Sequence, residues 1–449
     1  MATLEDIRCQ FPVTTESFTT SDGVSRSITY LDHGASTHPP RPVLDRYRDF
    51  LERFYANIHR GNHYLSRKAS ELYDGVSGVV HRFVGSDPAA NGVIFTSNTT
   101  TALDIAAYLM ADVPGDTLVS VMEHHSNDLP HRRRGGTRRI EILADGTLDY
   151  DDLERKLTAG GVKLVALTGA SNVTGYMPDL RRVARLAHTH GAKLLVDGAQ
   201  LLAHHAVDML PNEHPEHIDF FAAAGHKAYA PFGSAFLVVP IELSDHMTPY
   251  IPGGGTVKFV TDTSCVWATG SDRHSGGTPN IPGVIGLGAA LEWLEAIGLD
   301  WIREHEVALL QRVEGRLRAI EGVSFLGNIP AARKLGVLVF NIAGIHHDDV
   351  ASVLNNEFGI ATRNGCFCAH PYLSRLLHCT DVEGVRRAVE AGDDVALPGA
   401  VRATIGVYNN DQDLDKLVDA VSNVAANSNR FASAVSTNGN ACLETITPA

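Results

Sequence analysis

Apolar and polar positions along the chain fall into two textures. Between residues 92 and 239, short unbroken apolar runs alternate with longer stretches of helical periodicity. GVIFTS (92–97) precedes TTTALDIAAYLMA, TLVSVM (117–122) precedes a polar loop, and KLVALTGA (163–170) leads to DLRRVARLAHTHG. AKLLVDGAQ (192–200), HIDFFAAAGH (217–226) and SAFLVV (234–239) complete the series. Continuous rather than alternating hydrophobicity predicts strands covered on both faces, with helices between them. The pattern therefore predicts an α/β fold around a mostly parallel sheet, where ligands gather at the carboxyl ends of strands.

From about residue 284 the texture changes. GVIGLGAALEWLEAIGLDWIREHEVALLQRVEGRLRAI reads as one long helical stretch. Strand candidates GVLVFNI (336–342) and VRATIGVY (401–408) then flank a helical DDVASVLNNEF. This predicts a second, smaller α+β domain joined through the helix, with residues 1–29 packing on it. The tail from about 427 is rich in Ser, Asn, Ala and Thr and predicts little order.

Composition alters this picture mainly by exclusion. The 449 residues are 44% hydrophobic and 20% charged, with a formal net charge of −14. That balance argues against sequence-independent binding to nucleic acid or to an anionic membrane, which need basic surface. The one basic run, Arg132-Arg133-Arg134 with Arg138-Arg139, reads as a solvated loop or a local anion contact. The N-terminal residues carry no basic-then-apolar signal pattern, and a cytoplasmic location is expected. Six cysteines in this length do not form the pattern of a secreted disulfide framework.

Lys227 stands beside His226 in the nearly apolar stretch AAAGHKAYAPFGS (222–234). A bare ammonium is costly to bury there, so a salt bridge or a covalent bond should occupy it. Asp197 ends the strand-like AKLLVD thirty residues earlier, with Gln200 three residues on. An aspartate at a strand's end and a lysine in such a turn suit pyridoxal phosphate. The lysine would form a Schiff base and the aspartate would partner the ring nitrogen. A surface lysine and a helix-capping aspartate are the plainer alternative. FTSNTTTALDIAA places Thr99 and Thr100 where a strand gives way to a helix, either as a seat for an anion or as a simple cap. EHHSN (123–127) offers an aromatic ring that could cover a cofactor.

Ten motifs in order resemble the class V aminotransferase fold, in its group II cysteine desulfurase and selenocysteine lyase branch. They are YLDHGAST (30–37), YANIHRGNHYLS (55–66), FTSNTT (95–100), MEHHSN (122–127), SNVTG (171–175), VDGAQ (196–200), AGHK (224–227), GGTPN (276–280), RNGCFCAHP (363–371) and VRATIGVYNN (401–410). The resemblance implies the fold type I of PLP-dependent transferases. A large domain over 30–285 would hold a mostly parallel seven-stranded sheet, beside a smaller α+β domain from 1–29 and 286–426. It also implies a homodimer, an amino-acid substrate and a sulfur-acceptor protein, with no metal.

Carried over position by position, the resemblance makes Lys227 the Schiff-base lysine and Asp197 the partner of the pyridine nitrogen. Gln200 would contact the phenolic oxygen and His124 would stack on the ring. Thr99, Thr100 and His226 would bind phosphate, with Thr278 reaching in from a partner subunit. Asn172, Arg402, Arg363 and the Gly34-Ala35 backbone would hold the substrate carboxylate, and Cys368 would be the nucleophile that receives sulfur as a persulfide. Another C–S or C–Se lyase, an epimerase and a non-catalytic sulfur-relay scaffold are the competing readings.

Several positions depart from the family pattern. Ala224 stands where serine usually supplies a phosphate hydroxyl, and Ser97-Asn98 stand where an arginine and a glycine are usual. Cys366-Phe367 replace two histidines ahead of Cys368, so Cys366 is a bystander, a second thiol, or half of a metal or redox site with His370. The stretch from 372 to 400 is longer than usual and predicts a lid or an altered docking surface.

Overall fold

The computed structural model describes residues 3–20, 23–393 and 395–431. Its main sheet has seven strands, in the spatial order Asn91–Thr96, Ala235–Pro240, Phe220–Ala224, Lys193–Asp197, Val162–Thr168, Asp116–Ser120 and Thr137–Ile140. The five strands from Phe220–Ala224 to Thr137–Ile140 pair in parallel, and Ala235–Pro240 runs antiparallel to both of its neighbours. The six apolar runs all become strands of this sheet, buried on both faces as their composition requires.

The basic run is neither a loop nor free of partners. His125–Arg134 is a helix, and Thr137–Ile140 is the edge strand. Arg132 and Arg139 both pair with the buried Asp128, at 2.5 and 2.7 Å, while Arg134 pairs with Asp104 at 2.9 Å. The anion contacts of the run are thus carboxylates of the same chain.

Small residues set the spacing between layers at the lysine strand. Phe220 and Ala222 share a cluster with Ala102, Leu103 and Ala106 of the helix Thr99–Leu109. Alternation along a strand puts Ala224 on that same face, at the end nearest the helix N-terminus.

The stretch expected to be one long helix is two, Ile281–Ile297 and Leu299–Arg318, bent by 73° at Gly298. Gly298 has φ +94°, a left-handed value open to glycine that ends the first helix. Among the described residues no single helix is long and apolar enough to cross a membrane. The second helix packs with His347–Phe358 and Asp411–Ala426 around a four-stranded antiparallel sheet ordered Val323–Phe325, Val337–Ile342, Ala400–Thr404 and Arg363–Gly365.

The N-terminal segment touches both parts of the molecule. Phe11 lies edge-on to Trp293 and Tyr229 and 4.5 Å from Tyr408, while Arg8 pairs with Asp413 at 2.8 Å. Thr29–Tyr30 pairs in parallel with Ile360–Ala361. The 372–400 stretch contributes the end of the helix His370–Leu376, whose Tyr372 is buried, and the helix Val382–Ala391, which buries no side chain. Ser428–Phe431 forms one helical turn, and residues 432–449 lie outside the described residues.

Candidate active site

The carboxyl ends of five strands of the large sheet converge on one cavity of about 270 Å³. All the predicted site residues line it except Thr278. Asp197 ends its strand there, 5% exposed, with one carboxylate oxygen accepting from the Ala199 amide at 3.0 Å. Burial raises its pKa, and the nearby Lys227 works the other way.

Lys227 closes a single 3-10 turn, Gly225–Lys227, after the strand Phe220–Ala224. The turn is short because the chain reverses at once. The Gly225 amide donates to the Ser234 carbonyl at 2.8 Å, and Ala224 pairs with Ala235. The lysine is half-buried by surface only because it opens into the cavity. Burial and the Arg402 charge pull its pKa down to about 8, against the contrary pull of Asp197 and Cys368. The neutral amine therefore becomes the main form above that pH. In the apoenzyme, capture of an aldehyde at Lys227 should quicken about tenfold per pH unit below 8 and level off above. A rate still climbing toward the ordinary lysine value of 10.5 in stopped-flow absorbance would contradict this.

His124 caps the helix His125–Arg134 through its Nδ1, which accepts from the Ser126 amide at 3.1 Å. Burial lowers its pKa to about 4, so the ring is neutral near pH 7. His226 is likewise held neutral by burial, its pKa lowered to about 4. Gln200 donates to the Gly34 carbonyl at 2.7 Å. Gly34 is required by close approach, since a Cβ there would lie 3.0 Å from the Arg402 guanidinium carbon.

The Arg402 end of the cavity is held by residues from both sheets. Arg402, 3% exposed, donates to the Asn172 carbonyl at 2.7 Å and to Asp32 at 3.3 Å, and its plane covers the Phe367 ring at 5.0 Å. Arg363 stands 3.8 Å from the other Asp32 oxygen. Asp32, which bridges both arginines, escaped the sequence reading although it lies inside LDHGAST. Its only signal there was an acid just ahead of a glycine turn.

Cys368 is exposed at the cavity mouth and Cys366 is half-buried. Phe367 and Cys368 both have φ +54°, a left-handed conformation that costs non-glycine residues about 1–2 kcal/mol each. Their carbonyls are clamped, that of Phe367 by Asn172 at 2.6 Å and that of Cys368 by the His125 amide at 2.8 Å. The metal reading of Cys366, Cys368 and His370 does not hold among the described residues. Ligand-like groups form only at His188, His217 and Asp219 and at His346, His347 and Asp348, both outside the cavity. His370 instead stacks on His125, with ring centroids 5.1 Å apart.

Thr278 lines a different and larger cavity of about 720 Å³, beside Asn57, Tyr73 and Asp272. It does not reach its own chain's site.

The family model for aminotransferase class V matches residues 29–417. The chain belongs to this family. A cysteine desulfurase of Dickeya dadantii is 35% identical over 425 residues, covering 92% of this chain and 95% of its own length. Among solved structures, an apo cysteine desulfurase from Thermococcus onnurineus NA1 superposes with a TM-score of 0.82 at 30% identity, covering 95% of this chain and 99% of that one. A cysteine desulfurase from Escherichia coli, in an S-sulfonic acid form, gives 0.78 at 29% identity with the same coverage.

Class V enzymes of this type depend on pyridoxal phosphate. The residues here fit that group. The Thr99 hydroxyl is buried at a helix N-terminus without a partner, and the buried Asp197 carboxylate lines the same cavity. A phosphate beside the first and a protonated ring nitrogen beside the second suit their chemistry.

Proposed function

We propose that this chain is a cysteine desulfurase that takes sulfur from L-cysteine, leaving alanine and a persulfide on Cys368. The observation carrying this reading is that Lys227, Cys368 and Arg402 all line one cavity. Pyridoxal phosphate, when bound, supplies the electron sink that weakens bonds at the substrate's α and β carbons.

Arg402 and Arg363 bind the carboxylate of the amino acid, and Asp32 orients both guanidinium groups. Asp197 would hold the proton of the ring nitrogen, while Thr99, Thr100 and His226 would hold the phosphate end. His124 would cover the ring and Gln200 would meet its oxygen. Lys227 would move the proton at Cα. The Cys368 thiolate attacks the substrate sulfur. The new S–S bond forms as the Cβ–S bond breaks, the electron pair stays with Cβ, and Cβ takes a proton to give alanine. The persulfide sulfur then passes to an acceptor protein at the exposed mouth. Thr278 faces outward to complete the site of a second subunit, which makes the working form a homodimer.

Product analysis with cysteine, selenocysteine and cysteine thioethers tests this reading. Alanine and sulfide in equal amounts under reducing conditions are expected from cysteine. Pyruvate as the main product would mean β-elimination and would reject sulfur abstraction.

A further inference from the structure

Ala224 leaves the phosphate end of the cavity without a hydroxyl from the lysine strand. Its face of the strand nevertheless points to the N-terminus of the helix Thr99–Leu109. A different hydroxyl occupies that region. Ser126, in the first turn of the helix His125–Arg134, lines the cavity and lies 2.7 Å from the Thr100 hydroxyl. Thr99, beside Thr100, is 8% exposed and its hydroxyl has no partner. Two hydroxyls sharing one hydrogen bond leave one O–H proton free, and the Thr99 proton is free as well. Two O–H protons left over beside one cavity suit an oxyanion.

We propose that Ser126 is a phosphate-binding residue of this site, making with Thr100 and Thr99 a three-hydroxyl seat in place of the contact that Ala224 cannot make. The seat joins the N-termini of two helices, whose partial positive charge also favours a phosphate monoester dianion. Ser126 also donates its amide to His124 Nδ1, so the phosphate seat and the ring-covering imidazole share one turn. The inference rests on the cavity taking pyridoxal phosphate.

The test compares two aldehydes that differ only in the phosphate. Apoenzyme is titrated by equilibrium dialysis with pyridoxal phosphate and with pyridoxal, while thermal melting of each apo variant checks folding. Ser126→Ala should weaken pyridoxal phosphate binding about tenfold, the loss of one hydrogen bond to a charged group, and leave pyridoxal unchanged. Ser126→Thr, which keeps the hydroxyl, should retain the affinity. Adding Ala224→Ser to Ser126→Ala should recover most of the loss. Unchanged pyridoxal phosphate affinity in Ser126→Ala would overturn the assignment. An equal loss for both aldehydes would also overturn it, assigning Ser126 to support of the His124 ring. Failure of the unaltered chain to bind either aldehyde would instead bring down the cofactor reading itself.

Discussion

Replacing Cys368 with alanine is expected to cut alanine production from cysteine by about 10³-fold or more, as loss of a covalent nucleophile does. The cofactor should remain bound, because Cys368 contributes nothing to the ring or phosphate contacts. Intact-protein mass after incubation with cysteine should show one added sulfur on the unaltered chain and none on the variant. Cys366→Ala should keep most of the turnover. Cys366 packs against the main core, whereas Cys368 is exposed at the mouth of the site. Asn172 and the His125 amide clamp the two carbonyls of the left-handed pair Phe367-Cys368, and of the two cysteines it is Cys368 that lines the cavity. Full turnover by Cys368→Ala would sink the desulfurase reading and favour a lyase that needs no thiol.

Lys227→Ala should be about as severe for chemistry and should in addition loosen cofactor retention. Loss of the group that moves the Cα proton is expected to lower turnover by about 10³-fold, within the range for general acid–base catalysis. Asp197, Gln200, His124 and the phosphate seat remain, so pyridoxal phosphate should still bind, though without a covalent link. Borohydride treatment followed by peptide mapping should tag Lys227 in the unaltered chain and leave the variant unlabelled. A small added amine should restore part of the proton transfer. Normal turnover in the variant would mean that another base moves the proton.

Much of this was legible in the sequence, for identifiable reasons. Strands buried on both faces must be apolar throughout, so six of the seven large-sheet strands stood out. The seventh, Thr137–Ile140, did not, because an edge strand can carry Arg138 and Arg139 with their charges paired to Asp116 and Asp128. The helix His125–Arg134 was hidden for a related reason. It has almost no apolar stripe, contains Pro130, and is fixed by its His124 cap and by Asp128. Apolarity also says nothing about direction, and the antiparallel course of Ala235–Pro240 had no local signal. In the site, Asp197 and Lys227 were visible because each interrupts an apolar run. Ser126 and Asp32 were not, since their roles arise from the partners that the fold brings to them, Thr100 in one case and two arginines in the other.

The reversal that carries Lys227 has a bearing on how this chain can change over generations. Residues 225 to 234 are tied at both ends, by the Gly225–Ser234 hydrogen bond and by the Ala224–Ala235 pairing. A residue added there has to be absorbed between two fixed ends, beside the lysine itself. The helix Val382–Ala391 lies under no such constraint, since it buries no side chain. Lengthening is therefore easier there, between Cys368 and Arg402 in the chain, where new surface can be tried against new acceptors while the lysine keeps its place.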